Sequence, residues 1–170
     1  MKKITTIAIT GHRDMIETKE LRQKVFNFFK EQLEKSEELV LLSPLADGAD
    51  RFVAEIFLEL QKENGHLSLV VPMPFGQERY EEDFDKKSKE EFLDFWVKAD
   101  SVFAVKRVSE SGYVDVGRYV VDNSDVLLAL WDGTFNGKLG GTGDVVEYAR
   151  SMGKEVVHFV CEREETLIKR

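Results

Sequence analysis

The chain has 170 residues, 42% of them hydrophobic and 33% charged, with 32 acidic side chains against 24 basic and a net charge of −8. That length suits one domain over 1–170 with a sizeable core, and the acidic balance argues against the broad basic face that nucleic acid demands. A single cysteine, Cys161, excludes an intrachain disulfide and a thiolate metal cluster, and no apolar stretch approaches the roughly 18 residues of a membrane span.

The apolar run over 4–10 begins like an export leader but stops at Gly11-His12-Arg13-Asp14, so it reads as a first strand, and the cytoplasm is the expected compartment. Leu21, Val25, Phe28, Phe29 and Leu33 recur at helical spacing over 18–35. A buried strand follows at 39–42, then a helix over 49–63 carrying Phe52, Val53, Ile56, Phe57 and Leu60. Residues 67–71 form a third strand, which Pro72 and Pro74 are expected to end. Residues 72–98 mix aromatic and charged side chains. They are a candidate flap with helix near 88–98, and Phe75 and Tyr80 are placed either for stacking and closure or in a satellite core. Beyond it come a strand at 101–105, a short helix at 115–123, a strand at 125–131, a helix at 144–152 and a last strand at 156–160; the polar tail from 162 has no assignment. Strands alternating with helices predict an α/β, Rossmann-like, three-layer α/β/α fold with a mostly parallel sheet of about six strands. Ligands of such sheets bind beyond the carboxyl ends of the strands, at the switch point.

Three turns at those carboxyl ends carry the chemistry. The glycine-rich turn Gly140-Gly141-Thr142-Gly143-Asp144 joins a strand to a helix, the setting for an anion held by backbone N–H groups. In Asp144-Val145-Val146-Glu147, Glu147 fits a capping box as well as it fits an acid/base role. In the first turn Gly11 allows a sharp exit from the strand, Arg13 is a fork donor suited to phosphate and His12 titrates near neutrality, although the same residues also fit a plain solvated turn. In Ser43-Pro44-Leu45-Ala46-Asp47-Gly48-Ala49-Asp50, Gly48 opens room for a nucleotide and Asp47 or Asp50 suits ribose hydroxyls, with Ser43 adding a hydroxyl; the plain role of Asp50 is a helix N-cap. Asp132 ends the strand before the glycine turn and faces the ligand region, and Arg118 lies on the helix before that strand, as apt for the solvent as for the switch point. No set of His, Cys, Asp and Glu has metal-ligand spacing, and neither a P-loop nor a dinucleotide-binding glycine fingerprint is present. No metal or cofactor is expected.

These turns, in this order, resemble the SLOG superfamily, which includes the Lonely Guy phosphoribohydrolases, the lysine-decarboxylase-like proteins and DNA-processing protein A. The resemblance is strongest to a bacterial branch with a G-x-R-D opening and a G-A-D turn. It implies a Rossmann-like fold, a nucleotide-derived ligand and a homo-oligomer. Against the Lonely Guy signature PGGxGTxxE, Gly140, Gly141 and Gly143 match, and Glu147 falls on the catalytic glutamate, with Arg118 near the position of a catalytic arginine. Leu139 replaces the proline. Asp144 replaces the threonine at the phosphate end, where a dry, unpaired carboxylate repels phosphate.

Three functions follow. The first is a sensor or regulatory module that holds a nucleotide-derived ligand, favoured by the Asp144 departure. The second is a nucleoside 5′-monophosphate phosphoribohydrolase acting through Glu147, with Arg118 or Arg13 on the phosphate. The third is an oligomeric scaffold with a vestigial pocket.

Overall fold

The computed structural model describes residues 3–164; residues 1–2 of the leader-like stretch and 165–170 of the unassigned tail lie outside the described residues. In chain order the elements are β1 (Ile4–Gly11), α1 (Lys19–Lys35), β2 (Glu38–Leu42), α2 (Ala49–Gln61), β3 (Leu67–Met73), α3 (Gln77–Glu81), α4 (Lys86–Lys98), β4 (Ser101–Ala104), α5 (Gly112–Asp122), β5 (Val126–Trp131), α6 (Thr142–Ser151) and β6 (Glu155–Val160). The strands form one six-stranded sheet in the order β4-β3-β2-β1-β5-β6, and every pairing is parallel. Helices cover both faces, giving the three-layer α/β/α, Rossmann-like arrangement. No helix among the described residues is long and apolar enough to cross a membrane.

The two-residue period of the strands sorts their side chains onto the two faces. Ile7 and Ile9 of β1 join Leu39, Leu41, Leu69 and Leu128 in the larger core, under Val25 and Phe29 of α1 and Val53 and Phe57 of α2. Ala8, Leu127, Ala129 and Trp131 face the other way and pack on Val120 and Val121 of α5 and Val145, Val146 and Ala149 of α6. β5 is buried along its whole length, as a central parallel strand must be. Strand order reverses between β1 and β5, so the chain leaves their carboxyl ends toward opposite faces of the sheet and a crevice opens there.

Several local expectations are corrected. Pro72 does not end β3; it pairs with Phe103 of β4 inside the strand. The carbonyl of Val70 accepts from Ser43 on the β2 side, whereas those of Leu69 and Met73 accept from Asp100 and Val105 on the β4 side. The Pro72 nitrogen therefore points toward β2, whose pairing ends at Leu42 and Val70, and the ladder to β4 runs on past the proline undisturbed. The candidate flap folds as α3 and α4, with Tyr80 and Phe92 fully buried against the larger core, so Tyr80 takes the satellite-core role. The helix expected from 115 starts at Gly112, because Ser111 caps it by accepting from Val114 N–H at 3.3 Å. Asp50 is not the N-cap of α2; Gly48 holds that place without a side-chain cap.

Gly48 adopts φ 81°, and a methyl group there would lie 2.4 Å from the Arg13 carbonyl oxygen and 2.5 Å from that of His12. Gly153 also has a positive φ, 71°, but a methyl there meets nothing within 4 Å. Gly48→Ala is expected to cost about 3 kcal/mol or more, combining backbone strain with a backbone collision, and Gly153→Ala about 1 kcal/mol from strain alone. Chemical denaturation of the two variants, followed by circular dichroism, checks the contrast; equal costs would show that the loop approach carries no energy.

Candidate functional site

The crevice between the carboxyl ends of β1 and β5 is an open cavity of about 560 Å³. Ile9, Val116, Val120 and Val145 give it apolar wall, whereas Arg13, Lys138 and the glycine turn give it polar wall. Of the residues singled out in the sequence, Gly11, His12, Arg13, Asp50, Gly140, Gly141, Thr142 and Gly143 line it. Ser43, Asp47, Gly48, Arg118, Asp132, Asp144 and Glu147 are not on its wall.

The glycines bring loop to loop before they bring loop to ligand. A methyl on Gly11 would sit 2.3 Å from the Ala49 side chain and 2.7 Å from the Leu130 carbonyl oxygen. One on Gly143 would sit 3.1 Å from both the Thr134 carbonyl oxygen and the Phe135 Cα. Gly48 makes room for the first turn, not for a ligand, and Ala49 N–H donates to the His12 carbonyl at 3.2 Å across that contact.

Helix α6 starts at Thr142 with Gly141 as N-cap and no side-chain cap. The N–H groups of Thr142, Gly143 and Asp144 therefore lack intrahelical acceptors at the cavity edge. The side chain of Asp144 is turned away from it. One oxygen accepts from Gly140 N–H at 2.9 Å, and Arg118 reaches both oxygens, Nη2 to Oδ1 at 3.3 Å and Nη1 to Oδ2 at 3.1 Å. The reach-back expected of Glu147 is thus made by Asp144, and the charge feared at the phosphate end is neutralised. Arg118 also lies 4.3 Å from the Tyr148 ring centroid and braces the turn from outside. Glu147 is exposed on α6.

Arg13 lies over the Tyr113 ring, 5.1 Å from its centroid, and makes no ion pair within 4.0 Å among the described residues. Tyr113 in turn donates a short hydrogen bond to Asp83, which holds that carboxyl below its ordinary range. Lys138 stands beside the glycine turn, likewise without an acidic partner among the described residues. On the other flank, Asp132 N–H donates to His12 Nε2 at 3.2 Å, which requires a neutral ring nitrogen. Burial and the nearby Arg163 lower the His12 pKa against the pull of Asp132. Asp132 itself folds into a turn, accepting from Thr134 N–H at 3.0 Å and from its hydroxyl at 2.8 Å. His12 thereby joins the β1 and β5 exits.

The second turn is heavily braced. Leu45 is fully buried at φ 61°, a strained setting for a branched side chain. Arg51 Nε donates to the Leu45 carbonyl at 2.9 Å, Leu45 N–H donates to Ser43 Oγ at 3.3 Å, and the Tyr80 hydroxyl donates to the Pro44 carbonyl at 2.9 Å. Ser43 is thus a buried strut, not a ligand group. Asp47 is taken up by Arg51 Nη1 at 2.9 Å and by the Ser88 hydroxyl at 2.6 Å. Asp50 lines the cavity; one oxygen accepts from Ala46 N–H at 3.2 Å, and burial pushes its pKa up to about 7.

Sequence reasoning passed over Tyr113, Lys138 and Arg163. Lys138 was legible as the cation next to the glycine turn. Arg163 had no signal, because a polar tail gives no periodicity; the chain returns after β6, bridges Met15 and sends Arg163 to the cavity wall, with Nε donating to Asp14 at 2.8 Å. Cys161, just before it, is buried, which raises its thiol to about 11.

The YpsA family model, described as the YspA SLOG family, matches residues 7–160. A UPF0398 protein of Brevibacillus brevis is 29% identical over 117 residues, an alignment that takes in 67% of this chain and 58% of the relative, under two thirds of the relative's length. The X-ray structure of TM1055, a structural-genomics target, is similar at a TM-score of 0.50 with 18% identity, over 92% of this chain and 72% of that one; at this identity the likeness bears on the fold alone.

Two stability predictions follow from this geometry. Arg118→Ala leaves the nearly buried Asp144 carboxylate without its cation and is expected to cost about 1–3 kcal/mol in thermal unfolding, with Asp144→Asn milder because an amide oxygen still accepts from Gly140. Asp50 has a folded pKa near 7 against 3.8 when unfolded. Its contribution is therefore fully favourable below the unfolded value and is lost as pH rises through about 7. Asp50→Asn should then be more stable than the native chain at pH 8, by on the order of a few kcal/mol, and nearly equal to it at pH 4; an equal difference at both pH values would overturn the assignment.

Proposed function

The chain belongs to the YpsA SLOG family, and on that premise we propose that the crevice binds a nucleotide or nucleotide-derived ligand as a sensor or regulatory module. Family membership fits a nucleotide-related role. The observation that carries the reading is the concentration of unspent positive potential in one place on an acidic protein. The uncapped amino end of α6, Lys138 and Arg13 all face the cavity, and neither cation makes an ion pair within 4.0 Å among the described residues. A phosphate at the α6 end receives backbone N–H donors and the helix dipole together, and Arg13 supplies a fork donor whose face is already held by Tyr113. The apolar wall from Ile9, Val116 and Val120 suits the base.

Holding is favoured over cleavage by two placements. Glu147, the carboxylate that the resemblance assigns to glycosidic cleavage, is exposed and off the cavity wall, and Arg118 is committed to Asp144. A volume of about 560 Å³ argues against a vestigial pocket.

Isothermal titration calorimetry with the four ribonucleoside 5′-monophosphates and ribose 5-phosphate tests this. At least one is expected to bind. The double variant Arg13→Gln, Lys138→Gln should lose about tenfold or more in affinity, each charged hydrogen bond contributing roughly 1.5–3 kcal/mol, whereas Glu147→Gln should bind as the native chain does. Absence of binding by every ligand to a folded sample sinks the reading. Release of free base that disappears in Glu147→Gln returns the chain to the phosphoribohydrolase class.

A further inference from the structure

Among the described residues Asp50 is the acid on the cavity wall, and the neighbouring carboxylates of the second and third turns are spent on the protein. Asp47 is held by Arg51 and Ser88, Asp132 by the Thr134 N–H and hydroxyl, and Asp144 by Arg118 and Gly140 N–H. Asp50 is different. It is more than nine-tenths buried, it lines the cavity, and among the described residues its only hydrogen-bond donor is Ala46 N–H, which reaches Oδ2. Oδ1 is left without a donor at the cavity wall. An acceptor without a donor from its own chain, on a largely buried side chain that opens only onto a cavity, suits a donor from a bound ligand.

We propose that Asp50 reads the sugar of the bound ligand, accepting a hydrogen bond from a ribose hydroxyl, so that the site selects ribonucleotides over deoxyribonucleotides. This rests on the nucleotide reading above and adds the specificity-determining residue to it. The assignment fits the elements of the wall: Asp50 stands at the amino end of α2, whereas the helix terminus proposed for the anion is that of α6. In its ionised form Asp50 only accepts, which repels phosphate and suits a hydroxyl. The charged and titratable groups facing Asp50 are Arg13 from the β1 exit, Arg51 from its own helix and Tyr80 from α3. The two cations favour its ionised form against the burial that resists it, and a hydroxyl donor from the ligand adds to their side.

The experiment measures dissociation constants of the native chain for each ribonucleoside 5′-monophosphate and for its 2′-deoxy and 3′-deoxy counterparts, with inorganic phosphate alongside. For the base that binds best, the ribonucleotide is expected to bind about tenfold or more tightly than at least one deoxy counterpart, as a buried charged acceptor left unpaired requires. Asp50→Asn should bring that ratio close to one while leaving affinity for inorganic phosphate unchanged. A merely structural Asp50 would shift every ligand alike. Equal binding of ribo and deoxy forms by the native chain overturns the inference without any variant, as does a ratio that survives in Asp50→Asn. If no nucleotide and no phosphate binds, the nucleotide reading falls as well. If nucleotides bind without regard to the sugar, that reading stands and this one alone fails.

Discussion

The site depends on backbone meeting backbone at the carboxyl edge of the sheet. Gly48 lets the second turn touch the carbonyls of His12 and Arg13, and Gly11 lets the first turn settle between Ala49 and Leu130. Both contacts are shorter than any Cβ permits, and both lie at the switch point that the strand order opens between β1 and β5. Without them the loops would stand apart by the width of a side chain, and Arg13 and Asp50 would not share a wall. The glycines therefore shape the crevice mainly by packing the protein on itself, and space for a ligand is what remains at their centre.

Electrostatics then decides what that space accepts. The chain carries a net charge of −8, yet the acids nearest the crevice are nearly all occupied. Arg118 withdraws Asp144 from the anion position, Arg51 fixes Asp47, and Arg163 pairs with Asp14 on the far flank. The withdrawal of Asp144 changes how the departure from the PGGxGTxxE pattern is understood. A carboxylate at the third helical position is hostile to phosphate only if it points outward; here it accepts from Gly140 N–H and leaves the N–H groups of Thr142, Gly143 and Asp144 without intrahelical acceptors. The pair is an expensive way to close a turn, since two charges must be partly desolvated, but it preserves the helix terminus as a site for an anion.

Much of this was legible in the sequence, and the failures share a cause. Strands and helices follow from periodicity, because burial on one or two faces imposes it; Val25, Phe28 and Phe29 could not sit elsewhere. The three glycine turns and their common edge followed from the alternation of elements. What periodicity does not encode is the partner across a gap. Nothing around Asp50 says that Gly48 takes the cap, nothing around Asp144 says that Arg118 answers it from 26 residues away, and nothing in a polar tail says that Arg163 returns to the first turn. Pro72 was misplaced for a similar reason, since whether a strand tolerates proline depends on which neighbour its nitrogen faces. Site residues that act through local backbone, such as Gly141 and Thr142, were recoverable, whereas those defined by tertiary pairing were not.

The strained Leu45 shows how firmly the remaining wall is held. A buried leucine at positive φ costs of order 1–3 kcal/mol unless its surroundings over-determine it, and here Ser43, Arg51 and Tyr80 all hold the same short stretch. Tyr80 belongs to the segment that looked like a closing flap, but its hydroxyl is spent on Pro44 and its ring on Phe84 and Phe92. Movement of α3 toward the crevice would break that hydrogen bond and expose three aromatic rings, a loss that closure over a small ligand does not repay. The second turn therefore meets its ligand already formed, with Asp50 placed by the same bracing that strains Leu45. Preorganisation of this kind lowers the entropy cost of binding.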